Sequence, residues 1–433
     1  MLPGMRNRAI LAALALAVCQ GPVPSARQAP APAAGGAWPQ WGGPGRNFVS
    51  DSKGLATKWP ATGPKKLWTR ALGEGHSAIS VDGGRLYTMY RPLGALAVRR
   101  SQEEVIAALD ANTGATVWEH KFPSPTAGIN FTEGAGPHST PLVTRDRVFA
   151  AGSWKTLFAL NKANGQVVWS HDLIKEYAAT GPDRGYACSP LLYNGTIIVS
   201  VGGPGQTLAA FDEKTGALVW KAGSYTTSPA SPVVIDVDGQ KQLLYFGGDE
   251  IIGLDPASGK TLWTHPHKTN WGLNISTPIW SPADHLLFLT SAYGTGSRVI
   301  ELRQASGRTT ASEKWFSNRM RVHIGTAIRI GDHIYGSSGD FGPAFLTAVD
   351  VHSGKIAWQD RAFARAQLLY ADGKLVILDE DGNLGIAIAT PQGLQVLARA
   401  PVLENLAWTP PTLVGTKLYV RDRKNIASFE LGS

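Results

Sequence analysis

An eleven-residue phrase returns along this chain at intervals that neither a helical nor an alternating pattern explains. Ala-x-Asp-x-x-Thr-Gly-x-x-x-Trp stands in full at 108–118 (ALDANTGATVW) and 210–220 (AFDEKTGALVW), and nearly so at 159–169, 253–263 and 348–358. A sixth copy at 301–315 carries about four extra residues before its Trp, and a seventh at 387–397 keeps Gly393 but neither the acid nor the Trp. Successive repeat tryptophans lie 43 to 52 residues apart, so one supersecondary unit is being reused. Each unit is too small to bury its own apolar face and must stack on its neighbours.

Every copy has the same preface. A Ser/Thr-Pro-like step opens a short strand, as in HSTPLV, CSPLLY, ASPVVI, ISTPIW and WTPPTL, and a turn leads to a second, such as RVFAAG or TIIVSV. A third strand ends in the Ala-x-Asp step and the Trp opens a fourth. Four short antiparallel strands in about 45 residues predict a β-propeller blade. The abundance of turn formers, Gly 49 and Pro 28, agrees, and no segment sustains a helical period. The last segment, KLYVRDRKNIASFELGS, supplies second and third strands but no closing Trp, whereas PKKLWTRAL supplies an orphan fourth strand at Trp68. The expected fold is therefore all-β: an eight-bladed β-propeller of four-stranded antiparallel blades, its last blade closed by N- and C-terminal strands, leaving no open sheet edge. The expected organisation is a signal peptide and Pro/Ala-rich linker over 1–34, an arm packing on the propeller over 35–64, and the propeller over 65–433.

The motif has a local physical reason. Gly114, Gly165, Gly216, Gly259 and Gly354 can take the positive φ that closes a tight hairpin, and the acid can cap the turn by accepting backbone N–H bonds. Trp68, Trp118, Trp169, Trp220, Trp263, Trp315 and Trp358 can fill the seams between blades, each indole N–H finding a backbone carbonyl in the neighbouring strand. Ring symmetry spreads these indoles apart, which argues for blade docking rather than a shared ligand platform.

The repeat resembles that of the PQQ-like, or quinoprotein alcohol dehydrogenase-like, β-propellers, over residues 65–433. That family includes PQQ-dependent alcohol dehydrogenases and the outer-membrane assembly lipoprotein BamB. The enzymatic branch implies PQQ held above the channel, Ca²⁺ bound by Glu, Asn and Asp, an Asp base and often a vicinal disulfide. This chain has no vicinal cysteines, and Glu74, Glu133, Asp183 and Glu404 form no recognisable calcium set. The insertions that wall the cofactor pocket are missing as well. The expectation is no cofactor and no metal, with PQQ plus calcium the alternative.

Arg6 and Arg8 precede the apolar run AILAALALAVC, and a Pro/Ala-rich tail follows, which reads as an export signal. Leu16-Ala17-Val18-Cys19 resembles a lipobox, although Val18 replaces the usual small residue. Acylation of Cys19 and ordinary cleavage between Cys19 and about Ala34 both stay open. Cys188 is the other cysteine, so the mature chain has no internal disulfide. A net charge of +8 is spread without a basic run, which argues against nucleic acid. Any membrane association would come through the lipid anchor, and a closed ring predicts a monomer.

A functional site is expected where the repeats stop agreeing, just before each inner strand at the channel mouth. Those positions are His76, His138, Tyr186 with Cys188, Asn274, His323, Arg365 and Trp408. They make either a polar funnel for a small ligand or peptide segment, or hydrated groups that a crowded mouth tolerates. No G-x-S-x-G, H-E-x-x-H or Walker-type loop is present, and no catalytic residue is nominated. Trp38, Trp41 and Trp59, in the arm, read as packing rather than recognition. The resulting expectation is an exported, non-catalytic binding or scaffold module of the cell envelope, periplasmic or outer-membrane-associated, partnering envelope proteins or a small ligand. A diverged quinoprotein dehydrogenase, or another small-ligand enzyme using the funnel, is the alternative.

Overall fold

A computed structural model describes residues 36–94, 100–134, 136–181 and 183–432. The signal-like segment and Cys19 lie outside the described residues. Eight four-stranded antiparallel sheets follow one another, as the repeat requires. The first blade runs Ser80–Asp82, Arg85–Tyr90, Glu103–Asp110 and Thr116–Pro123 from the axis outward. The eighth takes Thr412–Val414, Lys417–Arg421 and Asn425–Glu430 from the C-terminal segment, and Lys65–Ala71 completes it antiparallel to Asn425–Glu430, with Trp68 opposite Ser428. Among the described residues the one α-helix is the five-residue Leu173–Tyr177.

The repeat phrase builds a specific joint. Its alanine pairs with its own tryptophan across a β-bulge, as Ala108 with Trp118, Ala159 with Trp169, Ala210 with Trp220 and Ala348 with Trp358. The small side chain leaves room for the indole, and the bulge turns the indole towards the next blade. Asp110 Oδ1 accepts the N–H of Asn112 and Thr113 at 3.0 and 2.9 Å and the Thr113 hydroxyl at 2.9 Å, capping the hairpin as expected. Gly114, at φ +73°, is needed for a second reason: a Cβ there would stand 2.7 Å from the ring of Trp68 in the preceding blade. Gly165, Gly216, Gly259 and Gly354 receive Trp118, Trp169, Trp220 and Trp315 in the same way. Each glycine is therefore a shelf for its neighbour's indole.

The indole N–H groups find their acceptors where the third strand of the next blade gives way to its turn, Thr390 being the last residue of such a strand. Trp68, Trp118, Trp169, Trp220, Trp315 and Trp358 donate to the carbonyls of Ala111, Lys162, Glu213, Pro256, Val351 and Thr390 at 2.7–3.2 Å. Each acceptor directly follows the motif's acidic position. Trp263 departs from this rule and donates to Gln242 Oε1 of its own blade at 2.7 Å. The next blade explains the departure: its hairpin Gly296–Ala305 and Arg308–Ser317 is lengthened, which carries the receiving turn away from the seam.

The N-terminal arm crosses the axis at the end away from the mouth. Trp38 bridges Val81, the Pro39 carbonyl accepts Val143 N–H at 2.7 Å, and Phe48 and Ser50 bond Tyr370, so three inner strands hold it. From there Trp41 reaches up the channel to donate to Thr277 Oγ1 at 2.9 Å. The guanidinium of Arg46, 3% exposed, donates to the carbonyls of Pro190 and Ser189 at 3.1 and 3.4 Å. Trp38 is buried, and Trp41 and Trp59 pack against the same core cluster.

Candidate functional site

The strand-preface positions lie around one mouth, and the structure divides them. His76 and His138 stack with ring centroids 5.4 Å apart, and Trp408 stacks on His76 at 5.7 Å. Arg423 lies over the Trp408 ring at 5.0 Å and donates from Nε to His76 Nε2 at 3.3 Å. His138 Nε2 donates to the Arg184 carbonyl at 3.1 Å. On another sector, the Arg365 guanidinium donates to His323 Nδ1, and His323 Nε2 then donates to Tyr293 Oη at 2.7 Å. Glu380 joins the two groups, accepting the Trp408 indole N–H at 2.9 Å and lying 3.6 Å from Arg365. The result is one arc of polar contacts from His138 round to Tyr293.

This arc settles the state of its imidazoles. His76 and His323 accept hydrogen bonds from guanidiniums, which requires a bare ring nitrogen and hence the neutral form. Burial, then the neighbouring His138 and Arg423, hold His76 well below the usual imidazole range. Burial pushes His138 down to about 4, and burial with Arg365 pushes His323 to about 4. All three therefore stay neutral near neutral pH.

Beside the His76, His138 and Trp408 end of this arc lies a cavity of about 360 Å³, which His323, Arg365, Glu380 and Arg423 do not line. His76, His138 and Trp408 form one wall, Trp271 and Tyr293 the rim of another, and Trp41 of the arm lines it from within. Tyr186 lines a third side beside Lys155. Lys155 is 5% exposed, and its Nζ donates to the Val201 carbonyl at 2.7 Å. Burial lowers its pKa to about 8, and among the described residues no carboxylate lies within ion-pair distance of it. Asn274 does not line the cavity. Its amide donates to the carbonyls of Gly247 and His267 at 2.6 and 3.2 Å and its oxygen accepts the Ser291 hydroxyl at 2.5 Å, which pins two loops together. Cys188 is buried and free.

Several contributors were not singled out in the sequence. Arg423 and Glu380 follow second strands, and Lys155 sits in a strand-connecting turn, so none occupies the strand-preface position. Trp271 and Phe341 stand on the rim 5.5 Å apart, 57% and 64% exposed, with Tyr293 against both. Exposed aromatics beside a concave site were the available signal.

The donors that a calcium–quinone site needs are not gathered here. Among the described residues no three His, Cys, Asp or Glu side chains converge on a metal position. Glu74 pairs with Arg100, Asp183 with Arg184, and Glu404 faces solvent, while Glu133 alone of the four stands unpaired at the cavity.

The fold and its blade joints define a quinoprotein-type propeller. The family model described as outer membrane protein assembly factor BamB matches residues 102–360, more than half of the chain, and the chain belongs to that PQQ-like, BamB-type family. BamB of Yersinia pestis is 20% identical over 362 residues, covering 83% of this chain and 76% of that protein. The 1-butanol dehydrogenase (quinone) of Thauera butanivorans is 28% identical over 169 residues, covering 34% of this chain but 26% of the enzyme. Among solved structures, BamB of Moraxella catarrhalis superposes with a TM-score of 0.56 at 17% identity, covering 84% of this chain and 97% of that one. These relatives include both an assembly factor and a dehydrogenase, so the site must decide between them.

Proposed function

We propose that this protein is an exported, non-catalytic docking module of the cell envelope, in which the channel mouth receives a segment of a partner. The observation that carries this reading is the engagement of the mouth's three histidines with neighbouring side chains and a backbone carbonyl. The imidazoles are neutral and already bonded, and the exposed rim carries the aromatic Trp271 and Phe341 beside the Asp183–Arg184 ion pair. Such an arrangement suits recognition better than proton transfer by these imidazoles, which would need a ring nitrogen free to exchange its proton. By sequence the BamB relatives are matched over about three quarters or more of their own length, whereas the butanol dehydrogenase is matched over 26% of its length, which supports an envelope location and an envelope protein as partner. No helix among the described residues is long and apolar enough to cross a membrane. Acylation of Cys19, which lies outside the described residues, would supply a tether to the membrane.

The test has two parts. A photo-crosslinking residue at Phe341, on the exposed rim, should give discrete adducts with envelope proteins that Trp271→Ala weakens. Protein reconstituted with PQQ and calcium should show neither dye-linked alcohol oxidation nor a thermal shift. Alcohol oxidation in that assay would replace the docking reading with the dehydrogenase one.

A further inference from the structure

One feature of the cavity is unused by the arc: the ammonium of Lys155. A buried ammonium carries three donors, and among the described residues this one has a single acceptor, the Val201 carbonyl. A charge in that position is costly unless something in the cavity completes its bonding. The wall around it offers Thr227 and the ring face of Tyr186, whose centroid lies 6.0 Å from the Lys155 Nζ. The faces of His76 are taken up by His138 and Trp408, but the rest of the lining is rich in apolar and aromatic surface from Trp41, Trp271, Leu273 and Tyr293. The cavity thus has an anion-seeking end and an aromatic, apolar wall.

Shape adds a direction. Trp38 and Phe48 tie the arm to inner strands at the far end, and Trp41 projects from it into the cavity. An extended chain cannot thread the channel and must enter from the mouth end first. Of the two ends of a polypeptide, the negatively charged one matches the buried ammonium of Lys155, whereas the Glu133 carboxylate on the same cavity is only half-buried.

We propose that the cavity is a receptor for a carboxylate carried on a flat apolar body, entering from the mouth with the carboxylate meeting Lys155. A polypeptide C-terminus with an aromatic last residue and a small arylalkanoic acid share this chemistry. The inference deepens the docking reading, since the first source would be the end of a partner chain. It does not depend on the rim crosslink, and either test can fail alone.

The experiment uses the full chain and reads binding by the fluorescence of the cavity tryptophans and by calorimetry. The probes are acetyl-Gly-Gly-Phe with a free carboxylate, the same peptide as its amide, 3-phenylpropanoate, and 3-phenylpropanamide. At least one acid should bind about tenfold or more tightly than its amide, the size expected of a charge-assisted hydrogen bond. Lys155→Met, which keeps the apolar stem, should abolish that preference while leaving amide binding unchanged. Binding of the peptide acid identifies a chain end as the occupant, and binding of 3-phenylpropanoate alone identifies a small acid. Acids that bind no better than their amides, or a preference that survives in Lys155→Met, would overturn the proposal. The wild-type comparison stands even if the variant does not fold.

Discussion

The ring of Trp118 lies on Gly165 of the next blade, and its indole N–H reaches the Lys162 carbonyl of the same turn at 3.0 Å. One tryptophan therefore uses both the flatness and the polarity of its neighbour's hairpin, and the same joint recurs around most of the ring. A first prediction separates its two requirements. Gly195 and Gly165 have nearly the same φ, +76° and +74°, but a Cβ at Gly195 meets nothing within 4 Å while one at Gly165 stands 2.5 Å from Trp118. Gly195→Ala should cost about 1 kcal/mol through backbone strain alone. Gly165→Ala should cost about 2–3 kcal/mol more, because the indole must leave its shelf. Equal midpoints for the two variants in chemical denaturation would remove the shelf from the account.

The seam at Trp263 gives a second prediction. Its N–H depends on the side chain of Gln242, which is fully buried and also donates to Thr309 Oγ1 at 2.6 Å. Gln242→Leu should strand a buried donor and cost about 1–3 kcal/mol. Adding Trp263→Phe to that variant should cost less than Trp263→Phe does in the wild type, with a coupling of about 1 kcal/mol in a double-mutant cycle. Additive losses would show that the hydrogen bond contributes nothing.

The joints were legible because glycine, acid and tryptophan recur with fixed spacing, and a repeat exposes what every blade needs. The mouth was legible only in part. Position relative to the Ser/Thr-Pro-like step located His76, His138 and Trp408, but nothing in spacing could pair His76 with Arg423, 347 residues away. Asn274 shows the limit from the other side: it occupies a strand-preface position yet its amide is consumed by loop carbonyls. Trp41 was readable as a packing residue, while its reach to Thr277 across 236 residues depends on ring closure that no local pattern encodes.

A third prediction concerns pH. His138 titrates near its ordinary 6.5 when unfolded and near 4 when folded, because burial disfavours the imidazolium. Between those values the unfolded chain binds the extra proton, so stability from this group is complete above pH 6.5, falls as pH drops towards 4, and falls no further below that. His323, pushed to about 4 as well, acts in the same direction. His138→Gln should flatten the melting temperature profile over this window relative to wild type. A variant whose profile parallels wild type from pH 7 to 4 would show that His138 is protonated at no cost in the fold.

The closing seam supports the last prediction. Arg421 of the eighth blade is fully buried, and its guanidinium donates to the carbonyls of Met89, Gly73 and Ser77 at 2.6, 3.1 and 3.3 Å, all beside or within the first blade. Lys65–Ala71 completes the same blade from the other end of the chain. Arg421→Met should strand those carbonyls and cost about 3 kcal/mol or more. Deleting 65–71 removes the outer strand, the shelf partner of Gly114 and the Trp68 bond to the Ala111 carbonyl together. The deletion should lower the melting temperature by more than about 10 °C, because the loss is of order several kcal/mol and opens a sheet edge. An unchanged melting temperature would mean that the ring holds without its terminal strand, and that blade-to-blade docking elsewhere suffices to keep it closed.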